Sequence, residues 1–171
     1  MIRIVRGDEW RDSGAGALLR SVSDRLEPIT PLERRLEEEG GDEVRRRLRE
    51  LGELPLGGAV VTPGGGLPVP LVIHVVIRSA VAPVSEAGVV RALQNGLRQA
   101  AEWGVEVVAM PPLGTGAGNL DAEAAAQALH EAFRRHRLES LLPREVVLFV
   151  GGDYEADAFG RVAGWFVPPE S

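Results

Sequence analysis

Apolar residues in this chain either alternate over four to eight positions or recur at helical spacing, and the two patterns take turns along its length. Ile2 to Val5 reads as a short strand ended by Gly7-Asp8, and Ala17 to Val22 as a weaker strand after the Ser13-Gly14-Ala15-Gly16 turn. Thr30-Pro31-Leu32-Glu33 has the form of a capping box. The Thr30 hydroxyl accepts from the third amide, Pro31 takes the first helical position, and Glu33 reaches back to Thr30. That helix should stop at Gly40-Gly41. Asp42 then caps a second, Glu43 to Leu51, with Val44, Leu48 and Leu51 on one face.

Gly58 to Thr62 and Pro70 to Ile77 are β-branched runs separated by Pro63-Gly64-Gly65-Gly66, which predicts two strands joined by a tight connection. The second run is apolar except for His74, as a strand covered on both faces would be. A helix is predicted over Ser85 to Gly104, a buried strand over Glu106 to Met110, and an Ala-rich helix over Leu120 to His136. Glu145 to Val150 is a last strand, and Tyr154 to Trp165 a last helix with Asp153 as its cap. Strands alternating with helices predict an α/β sheet covered on both faces, in one domain spanning 1–171.

Composition narrows the chemistry. There is no cysteine, which removes disulfides, thiolate metal sites and Cys nucleophiles. All nineteen basic residues are Arg, so a P-loop lysine and a Schiff base are excluded as well. The Arg bias points to a GC-rich genome and to heat adaptation. A formal charge of −6 argues against a nucleic-acid partner bound by the overall field. Residues Met1 to Arg6 lack the apolar core of a signal peptide. The longest apolar stretch, Pro68 to Ile77, falls far short of the roughly 18 to 20 residues of a membrane span. The expectation is a cytoplasmic protein with no membrane partner. His74, His130 and His136 have no metal-ligand spacing, so neither a metal nor a cofactor is expected.

Pro111-Pro112-Leu113-Gly114-Thr115-Gly116-Ala117-Gly118-Asn119 joins a buried strand to a helix N-terminus, the place where α/β folds bind ligands. Its alternating glycines let the backbone approach an oxyanion while the free amides of the next helix point at it, which favours phosphate or diphosphate. The spacing is not the G-x-G-x-x-G of dinucleotide folds, and no acidic ribose-binding residue follows about twenty residues on.

Three segments together resemble the macro domains, which bind ADP-ribose. These are Ile4-Val5-Arg6-Gly7-Asp8; Gly57 to Gly64 followed by Leu71-Val72-Ile73-His74; and Pro112 to Gly118. The resemblance implies a three-layer α/β/α fold with a mixed sheet of about six strands. It implies an Asp8 contact to the adenine amine, and diphosphate and distal-ribose contacts from Gly114, Thr115, Gly116, Ala117, Gly118 and Asn119. Tyr154 is the candidate for the ring that covers the base. Members that hydrolyse ADP-ribose bonds carry an Asn-Ala-Ala-Asn segment and a glycine run where this chain has Leu19 to Leu26 and then Glu27-Pro28-Ile29-Thr30. Ser21, Ser23 and Asp24 are the polar groups left to contact the ligand there. The expectation is a module that binds ADP-ribose, free or protein-linked, or a related nucleotide, without catalysis. The alternative is an ADP-ribosyl or O-acetyl-ADP-ribose hydrolase with a site rebuilt from those three residues.

Overall fold

A computed structural model describes residues 1–116 and 120–163. Six strands form one sheet: β1 (Ile2–Arg6), β2 (Ala17–Ser23), β3 (Ala59–Pro63), β4 (Leu71–Arg78), β5 (Val107–Met110) and β6 (Glu145–Val150). Their order is β1-β6-β5-β2-β4-β3, and every neighbouring pair is parallel except β3 with β4. The sheet is thus mixed, with an antiparallel hairpin at one edge.

Helices α3 (Glu86–Glu102), α4 (Ala122–Arg137) and α5 (Asp153–Ala163) cover one face, sharing a buried cluster with Leu19, Ile73, Val75, Val108 and Leu148. On the other face, α1 (Pro31–Gly40) buries Leu36 against Leu18, Val72 and Val147, while α2 (Asp42–Leu51) buries Val44 and Leu48 against Val22 and Val76. Successive strand residues point to opposite faces, so β2 sends Leu18 and Leu19 into different layers. This is the expected three-layer α/β/α arrangement.

Three local expectations change. Gly7–Asp12 is a 3-10 helix rather than a simple strand end, and it carries the fully buried Trp10. Gly41, not Asp42, stands at the cap of α2, with no side-chain capping bond; Asp42 lies in the first turn. The capping box is half made. Thr30 Oγ1 accepts from Glu33 N at 3.2 Å, but the Glu33 carboxylate turns inward to β2 instead of back to Thr30.

Sheet geometry explains that turn. β5 pairs with β2 only at Ala17 and Leu18, so the remaining length of β2 has no strand on that side. A buried backbone N–H needs a partner. Glu33 supplies it, its Oε1 accepting from Ser21 N at 3.1 Å and from Ser21 Oγ at 2.8 Å.

Candidate functional site

The carboxyl ends of β1, β5 and β6 open on one edge of the sheet, and there α1, the 3-10 helix and the β5–α4 loop enclose a cleft of about 890 Å³. Such edges are where open α/β sheets bind ligands. One rim is formed by the 3-10 helix. Trp10 stacks on Phe149 with ring centroids 5.1 Å apart, which fixes the helix against the end of β6. The Arg11 guanidinium lies 5.0 Å from the Trp10 centroid, pairs bidentately with Glu39 of α1 at 2.6 and 2.8 Å, and reaches Asp8 at 3.3 Å. Those carboxylates hold Arg11 firmly in its charged form. The Asp8 side chain is 85% exposed and lines the cleft, so it still has acceptor capacity for a ligand. Gly151, Tyr154 and Glu155, after β6, form the facing rim; Tyr154 is exposed, and burial pushes the Glu155 carboxyl up.

The other end is built from Thr30 and Pro31 at the start of α1 and from Thr115 and Gly116. Gly114 and Gly116 have φ of +88° and +77°, a region that other residues enter only with strain. A Cβ on Gly114 would lie 2.7 Å from Leu120 Cδ1 and 3.3 Å from Val84 Cγ1, so a side chain there would also have to displace Leu120. Leu120 N donates to Gly114 O at 3.1 Å and closes the loop upon itself.

Beneath α1, Glu33 lines the floor although it is only 2% exposed. Its Oε2 accepts from Arg20 Nε at 3.2 Å, and Arg20 Nη1 donates to Glu37 at 3.3 Å. Burial pushes the Glu33 carboxyl above its usual range, against the opposing pull of the Arg20 charge and the two Ser21 donors. Arg20 continues the buried polar row to its register partner His74, whose Nε2 is 2.9 Å from Thr62 Oγ1.

Of the residues singled out from the sequence, Asp8, Thr115, Gly116 and Tyr154 line the cleft together, with Gly114 just behind. Ala117, Gly118 and Asn119 lie outside the described residues. Ser21 and Ser23 do not line it: Ser21 is spent on Glu33, and Ser23 Oγ accepts from Glu27 N at 3.3 Å in a tight turn. Asp24 is likewise not a lining residue. Trp10, Arg11, Glu39 and Phe149 carry no functional signal in the sequence, and Glu33 carries only that of its capping box, three residues after Thr30. Among the described residues, no group of three or more His, Asp or Glu is placed to hold a metal, and no helix is long and apolar enough to cross a membrane.

Known proteins are similar in sequence and in fold. The family described as Macro domain matches residues 25–129. A Mycobacterium tuberculosis protein is 33% identical over 143 residues, 84% of this chain; the chain spans only 39% of that protein's length. An Aquifex aeolicus protein is 35% identical over 127 residues, covering 73% of this chain and 75% of its own. A solved Oceanobacillus iheyensis macrodomain with ADP superposes with a TM-score of 0.81 at 18% identity, over 95% of this chain and 89% of that one, which shows a shared fold. With the family pattern spanning more than half the chain, this chain belongs to the macro domain family.

Proposed function

We propose that residues 1–171 act as one macro module that holds ADP-ribose or a related nucleotide diphosphate in this cleft without turning it over. The observation that carries the reading is the left-handed Gly114–Gly116 turn facing the α1 N-terminus, with Asp8 on the rim of the same cleft. Backbone amides in such a turn and at a helix start suit an anion. In this assignment the Gly114 to Asn119 loop takes the diphosphate, Asp8 accepts from the adenine amine, and Tyr154 covers the base. The macrodomain from Oceanobacillus iheyensis was solved with ADP. Binding without hydrolysis is supported by the absence of Ser21, Ser23 and Asp24 from the cleft lining, since a water held for attack needs a rigid polar group within roughly 3 Å.

The experiment is a calorimetric titration with ADP-ribose, beside a turnover assay on an ADP-ribosylated protein and on O-acetyl-ADP-ribose. Wild type should bind, Gly116→Glu should lose at least about a hundredfold in affinity through bulk and like charge, and neither should turn substrate over. Equal affinity in the two proteins rejects the loop assignment. Turnover lost in Ser21→Ala, Ser23→Ala or Asp24→Ala establishes the hydrolase instead.

A further inference from the structure

Helix α1 runs along one side of the cleft and presents to it Pro31, Arg35 and Glu39, spaced four residues apart. Each step of four advances about 6 Å along the helix axis. Pro31 follows Thr30, the side chain nearest Gly116, and so marks the end of the cleft at the glycine turn. Glu39 holds Arg11, which reaches Asp8, and so marks the opposite rim. Arg35 stands midway between them.

The cation at that midpoint is uncommitted. On a helix surface an arginine ordinarily pairs with a carboxylate one turn away. Glu39 is such a residue, but both of its oxygens are taken by Arg11, at 2.6 and 2.8 Å, and one turn in the other direction the residue is Pro31. The Arg35 side chain is exposed and has no ion pair or hydrogen bond among the described residues. Arg11, the other arginine of the described lining, is spent on Glu39 and Asp8. Arg35 therefore carries the positive charge that a ligand in this cleft can still use.

With the diphosphate at the glycine turn and adenine at Asp8, the part of the ligand that passes Arg35 is the ribose joining the two. Free ribose hydroxyls are donors that suit a carboxylate, whereas a guanidinium offers a planar fork of donors that matches a phosphate; dinucleotide folds divide their unphosphorylated and 2′-phosphorylated ligands between acid and arginine in the same way. We infer that Arg35 is a specificity-determining residue that reads a phosphate on this ribose: the preferred ligand is a nucleoside diphosphate phosphorylated at its 2′ or 3′ hydroxyl as well. This rests on the nucleotide reading proposed above and narrows its ligand class.

The test titrates the full chain, at physiological ionic strength, with ADP-ribose and with ADP-ribose carrying a phosphate on the 2′ or on the 3′ hydroxyl of its adenosine ribose. At least one phosphorylated form should bind about tenfold more tightly than ADP-ribose, the low end for a hydrogen bond to a charged group, and the tighter one identifies the hydroxyl. Arg35→Ala should bring that preference below threefold while keeping ADP-ribose within threefold of wild type. Arg34→Ala removes the same charge from a neighbour that does not line the cleft, and should leave the preference intact. If ADP-ribose binds as tightly as both phosphorylated forms, the inference is overturned and the nucleotide reading stands. A preference that survives Arg35→Ala, or that Arg34→Ala removes equally, overturns it as well, since another group or the general charge of α1 would then be responsible. An Arg35→Ala loss equal for all three ligands does the same, by placing the guanidinium on the diphosphate they share. If none of the three binds, the nucleotide reading itself fails and the inference falls with it.

Discussion

The β5–α4 loop and the β2–α1 segment face each other across the cleft, Gly116 against Thr30, and are made of opposite material. The first offers backbone, with left-handed glycines at 114 and 116. The second offers side chains: Glu33, Arg20 and Ser21 bonded into one buried group, Leu26 and Ile29 driven into the core. Backbone amides can move to meet an anion at little cost. A buried ion pair cannot, because any displacement leaves a charge without its partner. The difference separates two jobs that a binding site usually mixes, so substitutions in one wall should change ligand affinity and substitutions in the other should change stability.

Breaking the side-chain wall should give the largest effect. Glu33→Ala leaves Arg20 Nε and Ser21 N buried without their acceptor, with Glu37 as the remaining carboxylate on Arg20. Losing one member of a buried pair typically costs about 3 to 5 kcal/mol, read as a lower denaturation midpoint in urea. Glu33→Gln should recover part of it, since an amide oxygen can still accept from Ser21. A Glu33→Ala midpoint equal to wild type would mean that the row contributes nothing to the fold. Measured in the same buffer, Gly116→Glu should show the reverse profile, keeping most of its stability while failing to bind.

The comparison sharpens at the rim. Asp8, bonded among the described residues to Arg11 at 3.3 Å and 85% exposed, should accept from the exocyclic amine of adenine, and inosine offers an oxygen there instead. ADP should therefore bind more tightly than its inosine analogue by about 1.5 to 3 kcal/mol, the range for hydrogen bonds to a charged group. In Asp8→Ala that gap should close with little change in stability. Competition binding that shows no discrimination in wild type removes Asp8 from the base contact.

Legibility from the sequence divides along the same line as the two walls. The six strands and five α-helices of the described residues are readable from periodicity, or for α1 from its capping box and glycine stop, because each signal is set by its own segment. The glycine turn and Asp8 were readable too, as local motifs on the cleft edge. The Gly7–Asp12 helix was not, since its reason for forming is the distant ring of Phe149 under Trp10. Glu33 was read as half of a local capping box. What redirected it was the short β5, which leaves Ser21 N without a strand partner, a fact of sheet register that the Thr30 to Glu33 spacing does not contain. The engagement of Ser21 and Ser23 is hidden for the same reason: Ser21 Oγ donates to Glu33, twelve residues on, and Ser23 Oγ accepts from Glu27 N, four residues on.

The smallest effect concerns the far end of the buried row. His74 Nε2 is 2.9 Å from Thr62 Oγ1, and the Thr62 hydroxyl itself donates to Pro63 O at 3.1 Å, so Thr62 must accept from the ring. His74 therefore carries a proton on Nε2, and its buried Nδ1 has no hydrogen-bond partner among the described residues, which suits the neutral ring. Full burial, and next the Arg20 charge on the adjoining strand, hold its pKa well below the ordinary 6.5. The sign follows from which state binds the extra proton. In the unfolded chain His74 regains its ordinary value and is protonated below about pH 6.5, while the folded ring stays neutral down to its depressed pKa. Its contribution is complete above pH 6.5 and is lost as pH falls from there toward the folded value, at no more than about 1.4 kcal/mol per pH unit. Glu33, with its raised pKa, acts in the opposite sense, so the total slope of wild type is not diagnostic. The difference from His74→Gln is, because glutamine keeps a donor for Thr62 but does not titrate. Urea denaturation of both proteins at pH 7.5, 6.5 and 5.5 should give a constant gap above pH 6.5 and one that narrows by roughly 1 kcal/mol over the next unit, as wild type alone weakens. Parallel profiles across the whole range would show that the folded ring takes up its proton as readily as the unfolded one, and that the polar row behind the cleft is open to water.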